Sequence, residues 1–411
     1  LRATGSRVDS AAPFGEAAGG WPMVLALATA QLASWGTIYY SFSLFVLPME
    51  AELGWSRASL NGALSVGLLC AGLCAYGVGA WIDRRGGRAL MSGGTLLSAT
   101  LLALWSQVES LTALYAIWIG LGVAMAAILY EPVFAVLTRS FPESFRNRIT
   151  VLTFIAGFAS TVFIPLTQML IDRIGWRDTL LALAAINLAV CLPVHLFWLR
   201  DHVPTGTTPV GDAAARQAPL RRALRHPVFW ALTLCLTCYS ATFSALTFHI
   251  IPLLAERGIA TAVAISAVAL IGPSQVAGRL LVFLLGARLP TAVTGRAVVL
   301  ALPASLLLLI LFPQSVAVLF LAAALYGGAN GVMTILRGTA VPDLMWPEGY
   351  GAINGALALP SMAALAGAPL GAALIWSAAG GYGAVLWALF ATAMLAAAAF
   401  WAAAALAGRN R

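Results

Sequence analysis

The chain has 411 residues, 61% apolar and only 9% charged, with a mean hydropathy of +0.91 and a formal net charge of +8. Soluble domains average about 25% charged residues, so a soluble globular fold is excluded, and recurrent uncharged runs of ~20 residues match a hydrocarbon core of ~30 Å. All the basic residues are arginine and they cluster between apolar runs, which argues against a nucleic-acid partner and predicts an all-α polytopic membrane protein.

Residues 1–20, rich in Gly, Ala and Ser, are expected to form a disordered cytoplasmic tail. The apolar run from Trp21 to about Met49 is too long for a signal peptide, and more runs follow. Twelve transmembrane helices are predicted. Six cover approximately 21–49, 57–82, 88–107, 111–138, 147–171 and 176–199. Six more cover approximately 227–255, 260–286, 290–311, 314–340, 349–376 and 380–407. These make an N-terminal six-helix half (21–199) and a C-terminal six-helix half (227–407). A polar cytoplasmic linker (200–226) joins them; it carries Pro204, Pro209 and Pro219 and ends in a short surface helix at Leu220 to Arg225.

Arginines gather in alternate loops: at 84–88, 139–148, 200–225, 288–296 and 409–411. The other loops hold only Arg57, Arg173, Arg177 and Arg257, mostly beside acids. By the positive-inside rule the first set is cytoplasmic, with both termini inside and the protein in the inner membrane. His195 and His202 flank the cytoplasmic end of span six. Cys70, Cys74, Cys191, Cys235 and Cys238 fall in apolar spans and read as packing residues; Cys235 and Cys238 have metal or redox spacing but no second pair.

The halves repeat. Pro48-x-x-x-Glu52-x-Gly54 after span one returns as Pro252-x-x-x-Glu256-x-Gly258 after span seven, and Gly175-Trp176 returns as Gly381-Tyr382. Between spans two and three lies Gly79-Ala-Trp-Ile-Asp83-Arg84-Arg85-Gly86-Gly-Arg88. Gly79 allows close helix approach, Gly86 permits a turn, and Asp83 can cap a neighbouring helix N-terminus. This segment resembles the major facilitator loop signature G-x-x-x-D-R-x-G-R-R, with glycine at the first of the last two basic positions. The resemblance implies two halves that rock about a midplane site, with Gly79, Asp83, Arg84, Gly86 and Arg88 forming a cytoplasmic conformational gate.

Three places carry a narrower resemblance. The Pro48, Glu52 and Gly54-Trp55-Ser56 segment, the Gly278-Arg279 pair in span eight, and the Gly- and Pro-containing span five around Ser160 and Pro165 are similar to the monocarboxylate transporter and oxalate/formate antiporter branch. The resemblance implies that Arg279 binds a substrate carboxylate. Animal monocarboxylate carriers pair an aspartate one turn before that arginine with a lysine in span one. Here that position is Gln275, and the chain has no lysine.

Arg279 also stands out without the resemblance. Nine residues separate it from Arg288, so it lies roughly 13 Å inside the bilayer. Its guanidinium cannot deprotonate and must find an acceptor. Glu131, in span four, lies at a similar depth. Two roles stay open for it: an ion pair with Arg279 that is released by proton coupling, or a local pair with Arg139 or Arg146. His249 in span seven is read either as a proton relay or as a neutral histidine bonded to a neighbouring helix. Gln275, Tyr39, Tyr40, Asn330 and Asn354 are candidate substrate contacts, although adjacent Tyr39 and Tyr40 should point about 100° apart. Arg337 is read first as a gate residue, then as a further anion contact.

The expectation is a secondary active transporter of a small organic anion, a monocarboxylate, working by alternating access, with H⁺ as a candidate co-substrate, membrane lipids around it, and a monomeric state. No cofactor, metal or nucleic acid is expected, and no enzyme: the chain shows no nucleophile–base pair or metal-ligand cluster. Two alternatives are a metabolite or drug exporter with Arg279 in a structural ion pair, and a transport-inactive sensor or scaffold. A small Gly/Ala-rich cavity favours the anion; a large aromatic one favours the exporter.

Overall fold

The computed structural model describes residues 20–199, 213–285 and 290–408, with backbone alone at 213–218 and 261. The expected tail, the linker through 212, and Arg200, His202, Arg288, Arg409 and Arg411 lie outside the described residues. Among the described residues there is no strand.

Apolar helices cross back and forth as twelve spans. Spans two and three are Arg57–Arg85 and Arg88–Trp105. Spans seven to twelve are Pro227–Glu256, Thr261–Leu285, Thr291–Leu311, Val316–Leu344, Tyr350–Ala379 and Tyr382–Gly408. The remaining spans are interrupted. Span one runs as Trp21–Ser34, a π-helical turn Trp35–Tyr40, and Phe42–Leu53. Span four runs as Leu111–Ile128 and Tyr130–Ser140. Span five begins as Phe145–Ala156 and resumes at Ala159; the helix Ala159–Pro193 then turns into span six at Gly175 (φ 78°, ψ 168°).

The repeated loop motif has a structural cause. Gly54 (φ 70°) and Gly258 (φ 75°) end spans one and seven in the left-handed conformation that glycine tolerates best. Just before each, a carboxylate ties the half together. Glu52 accepts from Trp176 Nε1 at 2.5 Å and from Arg177 Nε at 2.9 Å. Glu256 accepts from Trp376 Nε1 at 2.9 Å and from the Tyr382 amide at 2.8 Å. Helix ends leave carbonyls without partners. Arg177 covers those of Ser106 and Val108 after span three, and Arg257 covers that of Leu309 in span nine, at 2.6 Å. Two of the few arginines on the arginine-poor side therefore cap helices within one half.

The linker's helix is longer than expected, Ala213–Leu224, and packs on the C-terminal half. Arg222 lies over the Trp346 ring at 4.2 Å, and the Leu224 carbonyl accepts from Trp230 Nε1 at 2.8 Å.

The two halves meet most extensively along spans two and eleven. Gly79 faces Gly351, Gly355 faces Ala75, and Gly72 faces Met362, so closely that a Cβ at any of these glycines would overlap its neighbour. Small residues at such a seam let backbones approach where no hydrophobic drive exists between helices.

Candidate functional site

A cavity of about 230 Å³ lies between the halves. Spans one, two and four line it from the N-terminal half, and spans seven, eight, ten and eleven from the other. Arg279, Gln275, Tyr39, Tyr40, Asn330, Glu131 and Arg337 all line it. Asn354, His249 and the loop motif do not.

Arg279 is 4% exposed. It reaches the cavity because spans eight and ten pack on glycine: Gly278 meets the Gly328 backbone, and Gly331 meets that of Gln275. Its Nε donates to the Gly331 carbonyl at 3.3 Å, a long bond, and its Nη1 is buried with no partner. The guanidinium also crosses the interface. A Cβ on Gly157, where span five breaks, would collide with Nη1. The cation thus touches both halves and keeps donor capacity unused.

Glu131 does not hold Arg279 here, nor does it pair with Arg139 or Arg146. Its Oε1 lies 2.6 Å from Arg337 Nη2 of span ten, at an angle that makes an ion pair rather than a directed hydrogen bond. Its Oε2 accepts from Asn354 Nδ2 of span eleven. The local sequence explains its placement. Pro132 has no N–H to offer the Ile128 carbonyl four residues back. The helix breaks at Leu129 (φ −80°, ψ −154°), and Gln31 Nε2 takes up that carbonyl at 2.5 Å. Glu131 then sits in the first turn of a new helix, where the backbone dipole favours an anion.

Tyr39 and Tyr40 both line the cavity. They belong to a π-helical turn, in which the Ser41 amide donates to Gly36, five residues back, at 3.2 Å. Such turns are rare and often mark functional sites. Asn330 Oδ1 accepts from Tyr239 at 3.3 Å. His249 bonds Tyr382 and the Pro369 carbonyl, each at 2.9 Å, which occupies both ring nitrogens away from the cavity. A carbonyl only accepts, so Nε2 is the donor in that bond.

The loop motif joins the two halves on the arginine-rich side. Asp83 accepts from the amides of Gly351 (3.1 Å) and Ala352 (2.9 Å), capping span eleven across the interface. Gly86 (φ 82°) ends span two, while Arg84 and Arg88 are exposed. Arg139 donates to the Ile82 carbonyl at 2.7 Å. A second contact between the halves was not foreseen: Arg146 Nη2 reaches Asp343 Oδ2 of span ten at 2.8 Å, and Asp343 also accepts from Thr291.

Sequence reasoning also missed Trp35, Tyr130 and Gly157 as parts of the site. Only the Glu131-Pro132 pair carried a signal, a proline next to a helix that had to be interrupted. Cys235 and Cys238 are buried and unbridged, and no cluster able to hold a metal occurs among the described residues.

Two six-span halves around a central charged cavity are the architecture of a multi-pass membrane transporter. The model of the Major Facilitator Superfamily matches residues 27–359, and the chain belongs to that superfamily. Rat "Monocarboxylate transporter 13" is 28% identical over 360 residues, covering 87% of this chain and 82% of the relative. The bovine protein of the same name is 28% identical over 366 residues, with the same coverage. A Bacillus subtilis "Uncharacterized MFS-type transporter YcxA" matches 167 residues at 26%, 40% of each chain. Among solved structures, the human organic anion transporter MFSD10 superposes with a TM-score of 0.69 at 18% identity, covering 92% of this chain and 98% of that one. The fucose transporter FucP in its outward conformation gives 0.69 at 15%, covering 95% and 98%. These structural likenesses show the fold. The chain is a transporter, not an enzyme.

Proposed function

We propose that the protein carries a small monocarboxylate, together with a proton, across the inner membrane by alternating access. The observation that carries this is the free Nη1 of Arg279, buried at the cavity between the halves while Glu131 is engaged by Arg337. A planar guanidinium with spare donors suits a carboxylate. Among the lining residues, Arg279, Arg337 and Glu131 leave one net positive charge, which one monoanion neutralises. Similarity to proteins named as monocarboxylate transporters supports the same choice.

Charge balance gives Glu131 its part. Protonating it removes the partner of Arg337 and raises the cavity to two positive charges. A monoanion on Arg279 then restores the original value, so proton and substrate enter as a neutral pair. The Glu131–Arg337 ion pair is also one of the contacts joining the halves, and its loss loosens them. The arginine-rich side is the cytoplasm on the positive-inside rule, so the contacts of Asp83 and Arg146 join the halves at the cytoplasmic face, with both termini on that side. The protein acts as a monomer.

The aromatic lining is the feature expected of the exporter alternative, at a volume of only about 230 Å³; that alternative also needs a satisfied Arg279, whose Nη1 has no partner while Glu131 is spent on Arg337. The test is uptake of labelled carboxylates into proteoliposomes at two imposed pH gradients. Wild type should accumulate substrate with the proton gradient, and Arg279→Ala should lose uptake. Equal uptake by Arg279→Ala would overturn the anion site.

A further inference from the structure

The cavity is lopsided. Its cations come from the C-terminal half, as Arg279 and Arg337, whereas the N-terminal wall is aromatic. Trp35 lies with its ring centroid 4.9 Å from that of Tyr130 and 5.3 Å from that of Tyr39. Tyr39 and Tyr40 meet edge to face at 5.3 Å, and Tyr130 stacks on Phe134 at 5.3 Å and 11°. Two unusual pieces of backbone put these rings there. The π-helical turn carries Trp35, Tyr39 and Tyr40, and the break at Leu129 starts a helix at Tyr130. Trp35 Nε1 is also a buried donor without an acceptor.

We infer that the substrate is an aryl monocarboxylate, its carboxylate on Arg279 and its ring against Trp35, Tyr40 and Tyr130; this rests on the carboxylate role of Arg279 proposed above. A two- or three-carbon acid would satisfy Arg279 but leave the aromatic wall facing trapped water, and buried aromatic surface gains most from an apolar partner. An aryl acid covers that wall with offset or edge-on ring contacts. An oxygen on its ring or side chain also supplies the acceptor that Trp35 Nε1 lacks. Aromatic boxes also attract quaternary ammonium groups. A betaine-like zwitterion, however, would bring its cationic end into a lining that already holds the Arg337 charge, which opposes it.

The test is competition against a labelled carboxylate in proteoliposomes holding the full chain. The competitors are acetate, lactate, benzoate, phenylpyruvate, hydroxyphenylpyruvate and glycine betaine. Aryl acids should compete at concentrations at least about tenfold lower than the aliphatic acids. Trp35→Leu and Tyr130→Leu should each shrink that ratio to within about threefold, and Trp35→Phe should keep the ratio but lose any advantage of the ring hydroxyl. Variants are compared only where size-exclusion shows a monodisperse protein, and Trp35→Phe guards against loss of fold in Trp35→Leu. If aliphatic acids or betaine compete as well as aryl acids, this inference falls while the Arg279 site stands. If no carboxylate competes and Arg279→Ala matches wild type, the carboxylate site itself falls.

Discussion

Glu131 of span four and Arg337 of span ten form an ion pair of 2.6 Å across the boundary between the two halves. Both line the cavity. Opposite charges at this separation are held strongly in a low-dielectric setting, and removing one partner strands the other.

Glu131→Gln is therefore expected to keep the Asn354 contact but abolish proton dependence. Wild-type uptake should rise as the outside is acidified, because protonation of the carboxyl is the step that releases Arg337. The Gln variant should show a flat pH profile and no accumulation against a gradient, while still exchanging substrate across the membrane. Comparing net uptake with counterflow at several external pH values checks this. A wild-type pH profile in Glu131→Gln would remove the residue from coupling.

Asp83 caps span eleven from the opposite half, so Asp83→Ala should weaken the closed arginine-rich face. Capping side chains contribute roughly 0.5–2 kcal/mol, which shifts a two-state population by about two- to thirtyfold. Distances between spin labels placed on spans two and eleven at that end should lengthen in the variant. Arg146→Ala, which breaks the ion pair with Asp343, should act in the same direction. Unchanged distance distributions in both variants would mean that neither contact gates the protein.

Much of the frame was legible because membrane spans are encoded in long local stretches. Hydropathy and arginine placement gave the twelve passes, and the Pro-Glu-Gly repeat marked the two halves. Arg279 could be singled out because a charge in lipid-buried helix has few innocent explanations. The partner of Glu131 was not legible, since Arg337 and Asn354 lie more than two hundred residues away and the choice among arginines is made by tertiary packing. The backbone under Tyr39 and Tyr40 was hidden for another reason: nothing in Trp35-Gly-Thr-Ile-Tyr-Tyr announces a π-helical turn. Gly157 looked like one more small residue until Arg279 was seen to lie against it.

Gly157 gives a sharp test of that contact. A methyl group there would overlap Arg279 Nη1, so Gly157→Ala must push the guanidinium away from its place between the halves. Uptake should fall at least about tenfold, mainly through a higher KM, with thermal stability close to wild type. Gly77→Ala is the control, because a methyl group at Gly77 meets open space. Equal kinetics in the two variants would show that the exact position of Arg279 is unimportant.

The carboxylates of the repeated motif should behave quite differently from those of the cavity. Glu52 and Glu256 each bind within their own half, at an indole N–H and at groups near the start of the last helix. Neither touches the cavity or joins the halves. Glu52→Ala and Glu256→Ala should each lower the melting midpoint by a few degrees and leave substrate KM and the pH profile alone. Their losses should also add in the double variant, since distant sites without shared partners are independent. Melting curves and uptake on the same preparations decide the matter. A changed pH profile in either variant would mean that these outer carboxylates take part in coupling rather than in holding each half rigid.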